Sequence, residues 1–239
     1  MVVPVAADIG ALATEIAGCR ACPRLVAWRE AVAAEPRASF RGEQYWGRPV
    51  PGFGDPSAPL LLVGLAPAAH GANRTGRMFT GDRSGDFLFA AMHRAGYASQ
   101  PTSHARGDGL TLRDAYITAA VRCAPPANKP TPSERDECRP FLVRELELLS
   151  NVRVVIALGA FGYEAVWAAL RATGRALPSP RPAFGHGSEV RLEGASPIVI
   201  LGCYHPSQQN TFTGRLTPAM LDAVFARARE ISGLSAPGR

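Results

Sequence analysis

Residues 59–82 read PLLLVGLAPAAHGANRTGRMFTGD, and the stretch changes character at Gly64. The apolar run before it has the pattern of a strand, 60–64, buried on both faces. After it, glycine and proline punctuate a loop with an apolar floor, an aromatic plate (Phe79), two arginines (Arg74, Arg77) and a carboxylate (Asp82). Open α/β sheets bind ligands outside the carboxyl ends of their strands, where such a loop would lie. Its inventory suits a flat, polar, phosphate-linked ligand.

Outward from this stretch, apolar runs predict further strands at 115–121, 153–158 and 197–202. Helices are expected at 8–18, 84–95, 160–171 and 217–231, with Ser84 or Asp82 as the cap of the second. Ser133-Glu-Arg-Asp reads as the start of another helix, ending near Leu149. Residues 31–58 and 98–112 read as irregular, and 172–196 as loop with a small hairpin. Strands alternating with helices predict an α/β fold, a three-layer α/β/α sandwich around a four-stranded parallel sheet. One domain over 1–239 is expected, with frayed tails at 1–7 and 233–239. The loops after the first, second and fourth strands would converge at one sheet edge.

The chain has 239 residues, of which 46% are hydrophobic, enough for a sizeable core. Its net charge of +6 favours an anionic partner, although on charge alone a scattered basic surface is the simpler explanation. No apolar run approaches membrane-spanning length, and the first residues lack a signal-peptide pattern. A cytoplasmic, reducing setting without a membrane partner is therefore expected, in which the five cysteines are not disulfides. Cys19 and Cys22 form C-x-x-C; Cys123 ends the second strand, and Cys138 lies in the following helix. Four thiolates suit a metal site, and the wide Cys123–Cys138 spacing fits an iron–sulfur cluster better than a zinc knuckle. Spacing alone leaves open that Cys123 and Cys138 are ordinary buried thiols. Cys203 reads as core.

Five segments together resemble the type b, or family 5, uracil-DNA glycosylases: CRACPRLVAWRE (19–30), YWGRPVPGFGD (45–55), GLAPAAHGANRTGRMFTGD (64–82), YITAAVRCAPPANKPTP (116–132) and YHPSQQNTFTGRLT (204–217). The resemblance covers essentially the whole chain. It implies the uracil-glycosylase fold, a structural [4Fe–4S] cluster on Cys19, Cys22, Cys123 and Cys138, and monomeric action on double-stranded DNA. The implied reaction hydrolyses the bond between a damaged base and deoxyribose, after the base is flipped from the stack. His205 would donate a hydrogen bond to the departing base as it gathers charge. Phe79 would stack on that base. Gly64, Ala66, Pro67, His70 and Asn210 complete the base pocket implied by the resemblance.

Two departures matter. Many superfamily members carry Asp or Asn where this chain has Ala66, and a methyl group cannot orient water. Asp82 and Asn128 are then the candidates for that task, and Asp82 could also cap the next helix. Some relatives read uracil with an Asn at the end of the second strand, where this chain has Ala119 and Ala120. Loss of that reader predicts a broad range: uracil, modified uracils, hypoxanthine and mismatched thymine. Gln208 and Gln209 occupy the expected minor-groove loop, and Arg74, Arg77, Lys129 and Arg215 are expected phosphate contacts. The competing expectations are a strictly uracil-specific type a enzyme, a non-catalytic iron–sulfur DNA-binding module and a zinc protein.

Overall fold

The structure is a computed structural model that describes residues 8–235. Its strands are β1 (Phe53–Gly54), β2 (Leu60–Gly64), β3 (Ala115–Ala119), β4 (Val154–Leu158), β5 (Glu189–Leu192) and β6 (Ile198–Cys203). The helices are α1 (Ile9–Gly18), α2 (Pro23–Ala34), α3 (Ala72–Thr75), α4 (Arg83–Arg94), α5 (Pro132–Leu148), α6 (Gly159–Ala172), α7 (Gln208–Phe212) and α8 (Pro218–Ser232). One six-stranded sheet has the order β1-β3-β2-β4-β6-β5. The expected parallel strands β3, β2, β4 and β6 form its centre, with Leu62 paired to both Ile117 and Ile156. Beyond this four-stranded parallel centre, β1 and β5 add one antiparallel strand at each edge.

Every residue of the four central strands is buried, as their unbroken apolar runs require. Alternation along each strand divides the core in two. Leu60, Leu62, Ile117, Ile156 and Leu201 meet Leu88, Phe89 and Met92 of α4 and Leu221 and Phe225 of α8. Leu61, Val63, Tyr116, Val155 and Ile200 meet Leu142 of α5 and Tyr163, Val166 and Trp167 of α6. The result is a three-layer α/β/α sandwich. Because β2 lies inside the sheet, the chain leaves β2 and β4 toward opposite faces, opening a crevice at their carboxyl ends.

Several boundaries differ from the sequence reading. Residues 31–34, expected to be irregular, end α2, a helix with Pro23 at its start and apolar residues on no single face. Thr131, not Ser133, caps α5: its hydroxyl accepts the Glu134 amide at 3.2 Å while Glu134 accepts the Thr131 amide at 2.8 Å. Arg24 of α2 clamps the same Glu134 at 2.6 and 2.7 Å, tying the two helices together. In place of a small hairpin within 172–196, that stretch supplies the single strand β5, which pairs with β6. Residues 98–112 fold back through a bridge between Ala98 and Leu112, and Leu110 and Ser103 are buried. Of the expected frayed tails, 1–7 and 236–239 lie outside the described residues. Residues 233–235 are not frayed, since the Gly233 and Leu234 amides close α8 and Leu234 packs on the core. No helix among the described residues is long and apolar enough to cross a membrane.

Candidate active site

A cleft of about 570 Å³ opens at the carboxyl ends of the central strands. The loop after β2 contributes Gly64, Ala66, Pro67, Phe79 and Asp82; the turn after β3 contributes Asn128 and Lys129; the segment after β6 contributes His205, Ser207, Gln208 and Gln209. Ten of the residues singled out from sequence thus line one cavity, together with Leu65, Ala68, Met78 and Ser84, which were not foreseen. Leu65, Ala68 and Met78 carry no chemical signature that sequence inspection would select, and Ser84 reads there only as a helix cap.

Phe79 is held in the left-handed region at φ 53°, where a non-glycine residue is strained. Two glycines make room for it. A Cβ on Gly64 would lie 2.9 Å from the Phe79 ring, and one on Gly85 would lie 1.8 Å from the Phe79 carbonyl oxygen. The ring sits 5.9 Å from the His205 imidazole at an interplanar angle of 34°.

Asp82 caps α4, its Oδ1 accepting the Gly85 amide at 3.0 Å. Oδ2 rests against Gly71, where a Cβ would come within 2.0 Å of it. Burial raises the Asp82 carboxyl above the usual carboxylate range, with the Gly85 and Ser84 amides acting in opposition. His205 is pushed down to about 4 by burial, so its imidazole is neutral at physiological pH and one ring nitrogen donates while the other accepts. Asn128 and its neighbour Ala127 both adopt left-handed backbone, at φ 55° and 52°, presenting an exposed turn at the cleft mouth.

Five expected site residues stand elsewhere. Arg77 is buried and bidentate on Asp108 at 2.8 and 2.9 Å, with further bonds to Thr80 and Ser103. Burial opposes ionisation of Asp108, but the Leu110 amide and Arg77 hold it at about 2. This guanidinium is occupied inside the fold and is not a phosphate contact. Arg74 is similarly engaged, with Glu43 at 2.5 Å, the His70 and Gly81 carbonyls, and the Phe40 ring 4.1 Å away. His70 lies outside the cleft, bonded through Nδ1 to the Tyr45 hydroxyl at 3.0 Å and stacked on Phe40. Asn210 supports the site without lining it, donating to the His205 carbonyl at 2.9 Å. Arg215 is exposed and stacks on Tyr204 at 4.7 Å.

Cys19, Cys22, Cys123 and Cys138 line a second, separate cavity, bringing together the α1–α2 junction, α5 and the loop after β3, where Cys123 stands four residues beyond the strand it was expected to end. Burial pushes Cys22 up to about 11 and Cys123 up to about 12. Buried Arg29 donates to Cys123 Sγ at 2.9 Å and to the Cys19 carbonyl at 3.2 Å. Among the described residues, no three His, Cys, Asp or Glu side chains converge as a single metal ion requires. Four thiols around one cavity beside a buried cation form a donor set whose chemistry suits a multi-iron cluster. Cys203 is buried in the core and is not part of this group.

Residues 51–229 match the uracil DNA glycosylase superfamily. The chain is 57% identical over 220 residues to a type-5 uracil-DNA glycosylase of Mycobacterium bovis, covering 92% of this chain and 80% of that protein. It is 54% identical over 231 residues to that of Mycobacterium leprae, covering 96% and 98% of the two chains. For the type-5 enzyme of Thermus thermophilus the identity is 52% over 227 residues, with coverage of 95% and 100%.

Proposed function

The chain belongs to the type-5 branch of the uracil-DNA glycosylase superfamily, and on that premise we propose that it excises uracil and other deaminated or modified bases from double-stranded DNA, leaving abasic sites. The supporting observation is that Phe79, Asp82, Asn128 and His205, from three different loops, line one cleft.

In this mechanism the flipped base stacks on Phe79, whose strained backbone is preset by Gly64 and Gly85. His205 faces the base as a neutral donor and stabilises the negative charge that the base acquires as the glycosidic bond breaks. No proton need be lost from an imidazolium for it to act. Asp82, with one oxygen anchored to the α4 terminus, orients water toward the sugar, assisted by Asn128. Ala119 presents a methyl group where a side-chain amide could otherwise read a base edge, which supports a broad base range, and Ala66, with no group that can orient water, leaves that task to Asp82 and Asn128. Cys19, Cys22, Cys123 and Cys138 would hold a [4Fe–4S] cluster whose contribution is to cross-link the surrounding elements. Arg29 offsets the charge of the thiolates. Lys129, exposed at the cleft mouth, and Arg215 remain as phosphate contacts.

The test is alkali-revealed cleavage of labelled duplexes containing U·G, U·A, hypoxanthine·T and T·G. Wild type should cut several of them, and both Asp82→Ala and His205→Ala should lose roughly 10²-fold or more in rate. Cleavage of uracil alone would remove the broad range. DNA binding without cleavage of any duplex would leave a non-catalytic module.

A further inference from the structure

We propose that Phe212 is the wedge that enters the base stack when a damaged nucleotide is flipped. The proposal rests on the glycosylase reading above and places the wedge on an aromatic ring further along the minor-groove loop that holds Gln208 and Gln209. Phe212 is 68% exposed; Trp28, the other exposed large hydrophobic among the described residues, is 37% exposed. A ring left this open withholds burial from the folded chain, which is understandable if a bound partner covers it.

Its position identifies that partner. Phe212 ends α7, one helical turn beyond Gln208 on the same face, and Gln208 lines the cleft. The Arg83 guanidinium lies 5.6 Å from the ring centroid. Arg83 begins α4 directly after Asp82, so the pair stands beside the cleft with the ring exposed and a cation next to it. A planar apolar ring flanked by positive charge matches a base step between phosphates.

The segment is also held in shape before binding. Asn210 donates to the His205 carbonyl at 2.9 Å, Thr211 to the Ser207 carbonyl at 3.2 Å and Thr213 to the Gln209 carbonyl at 2.6 Å. The Leu216 amide bonds the Asn210 carbonyl at 3.0 Å, and the Leu216 side chain is buried. The wedge and His205 therefore move as one piece, which couples filling the gap to seating the base. The glutamines, closer to His205, face the flipped nucleotide and its neighbours.

The experiment compares single-turnover uracil release from a U·A duplex and from the same strand alone, using wild type, Phe212→Ala and Phe212→Trp. A 2-aminopurine beside a non-hydrolysable 2′-fluorouridine reports flipping by fluorescence. Loss of base–aromatic stacking should slow F212A on duplex roughly five- to hundredfold more than on single strand. F212A should also suppress the fluorescence rise, and F212W should restore both. Equal losses on the two substrates, or an undiminished duplex rate and flipping signal, would overturn the proposal. Wild type inert on both substrates would instead sink the glycosylase reading, and the wedge with it.

Discussion

Asp82 is subject to opposing influences: burial raises its pKa, and the amides at the start of α4 lower it. Burial prevails, so the water-orienting role proposed for this carboxylate is available only above a pKa that exceeds the ordinary carboxylate value. Activity should therefore fall as pH drops through that raised value. His205, already neutral down to about 4, adds no limb above it. Rate measured against pH should show the acid limb in wild type; Asp82→Asn should be slower by roughly 10²–10⁴-fold and lose the limb. A limb that persists in D82N would belong to another group. Phe79, Asp82 and His205 were legible because each lies in a distinctive local motif. Gly71 was not, since its need to lack a Cβ comes from the Asp82 carboxylate folded against it. Arg74 and Arg77 misled for the same reason: a loop arginine looks free in sequence, and Asp108 reaches Arg77 from 31 residues away.

Between elements, an ion pair buried beneath the sheet links the end of β3 to α5. Arg122 and Glu145, each 1% exposed, meet at 2.6 and 3.0 Å, and Thr118 donates to the same carboxylate at 2.8 Å. Removing one partner strands the other charge without water, so Glu145→Leu should cost about 3–5 kcal/mol in denaturant melts. The double change with Arg122→Met should recover much of that loss; additive losses would show that the pair is not coupled. The central strands were evident as unbroken apolar runs. By contrast, α2 has no apolar face, and β1 has only two residues. The edge strand β5 shows no buried alternation, and its place is set by pairing with β6. The α5 cap was displaced by two residues because Ser133 has an acid three residues on, Asp136, just as Thr131 has Glu134, and only the hydrogen bonds distinguish the two starts.

Across the whole molecule, the thiol cavity joins segments that bracket the Asn128 turn, since Cys123 precedes that turn and Cys138 follows it. A bound cluster would stabilise only the folded chain, so stripping iron should lower the melting temperature together with the brown colour. For a chain of this size, losing about 3 kcal/mol corresponds to roughly 6–12 °C. An unchanged melt after complete iron removal, or colourless protein from an iron-replete preparation, would refute a structural cluster there. The alternation of strands and helices, the cleft-lining loop motifs and the four cysteines were all legible in the chain, because they depend on periodicity, turn chemistry and side-chain type within short windows. The edge strands, the burial of Arg77 and Arg122, the cradle for Asp82 and the exposure of Phe212 depended on tertiary structure. Each follows from which distant groups approach one another and which surfaces lose water, and neither is encoded in any short window of residues.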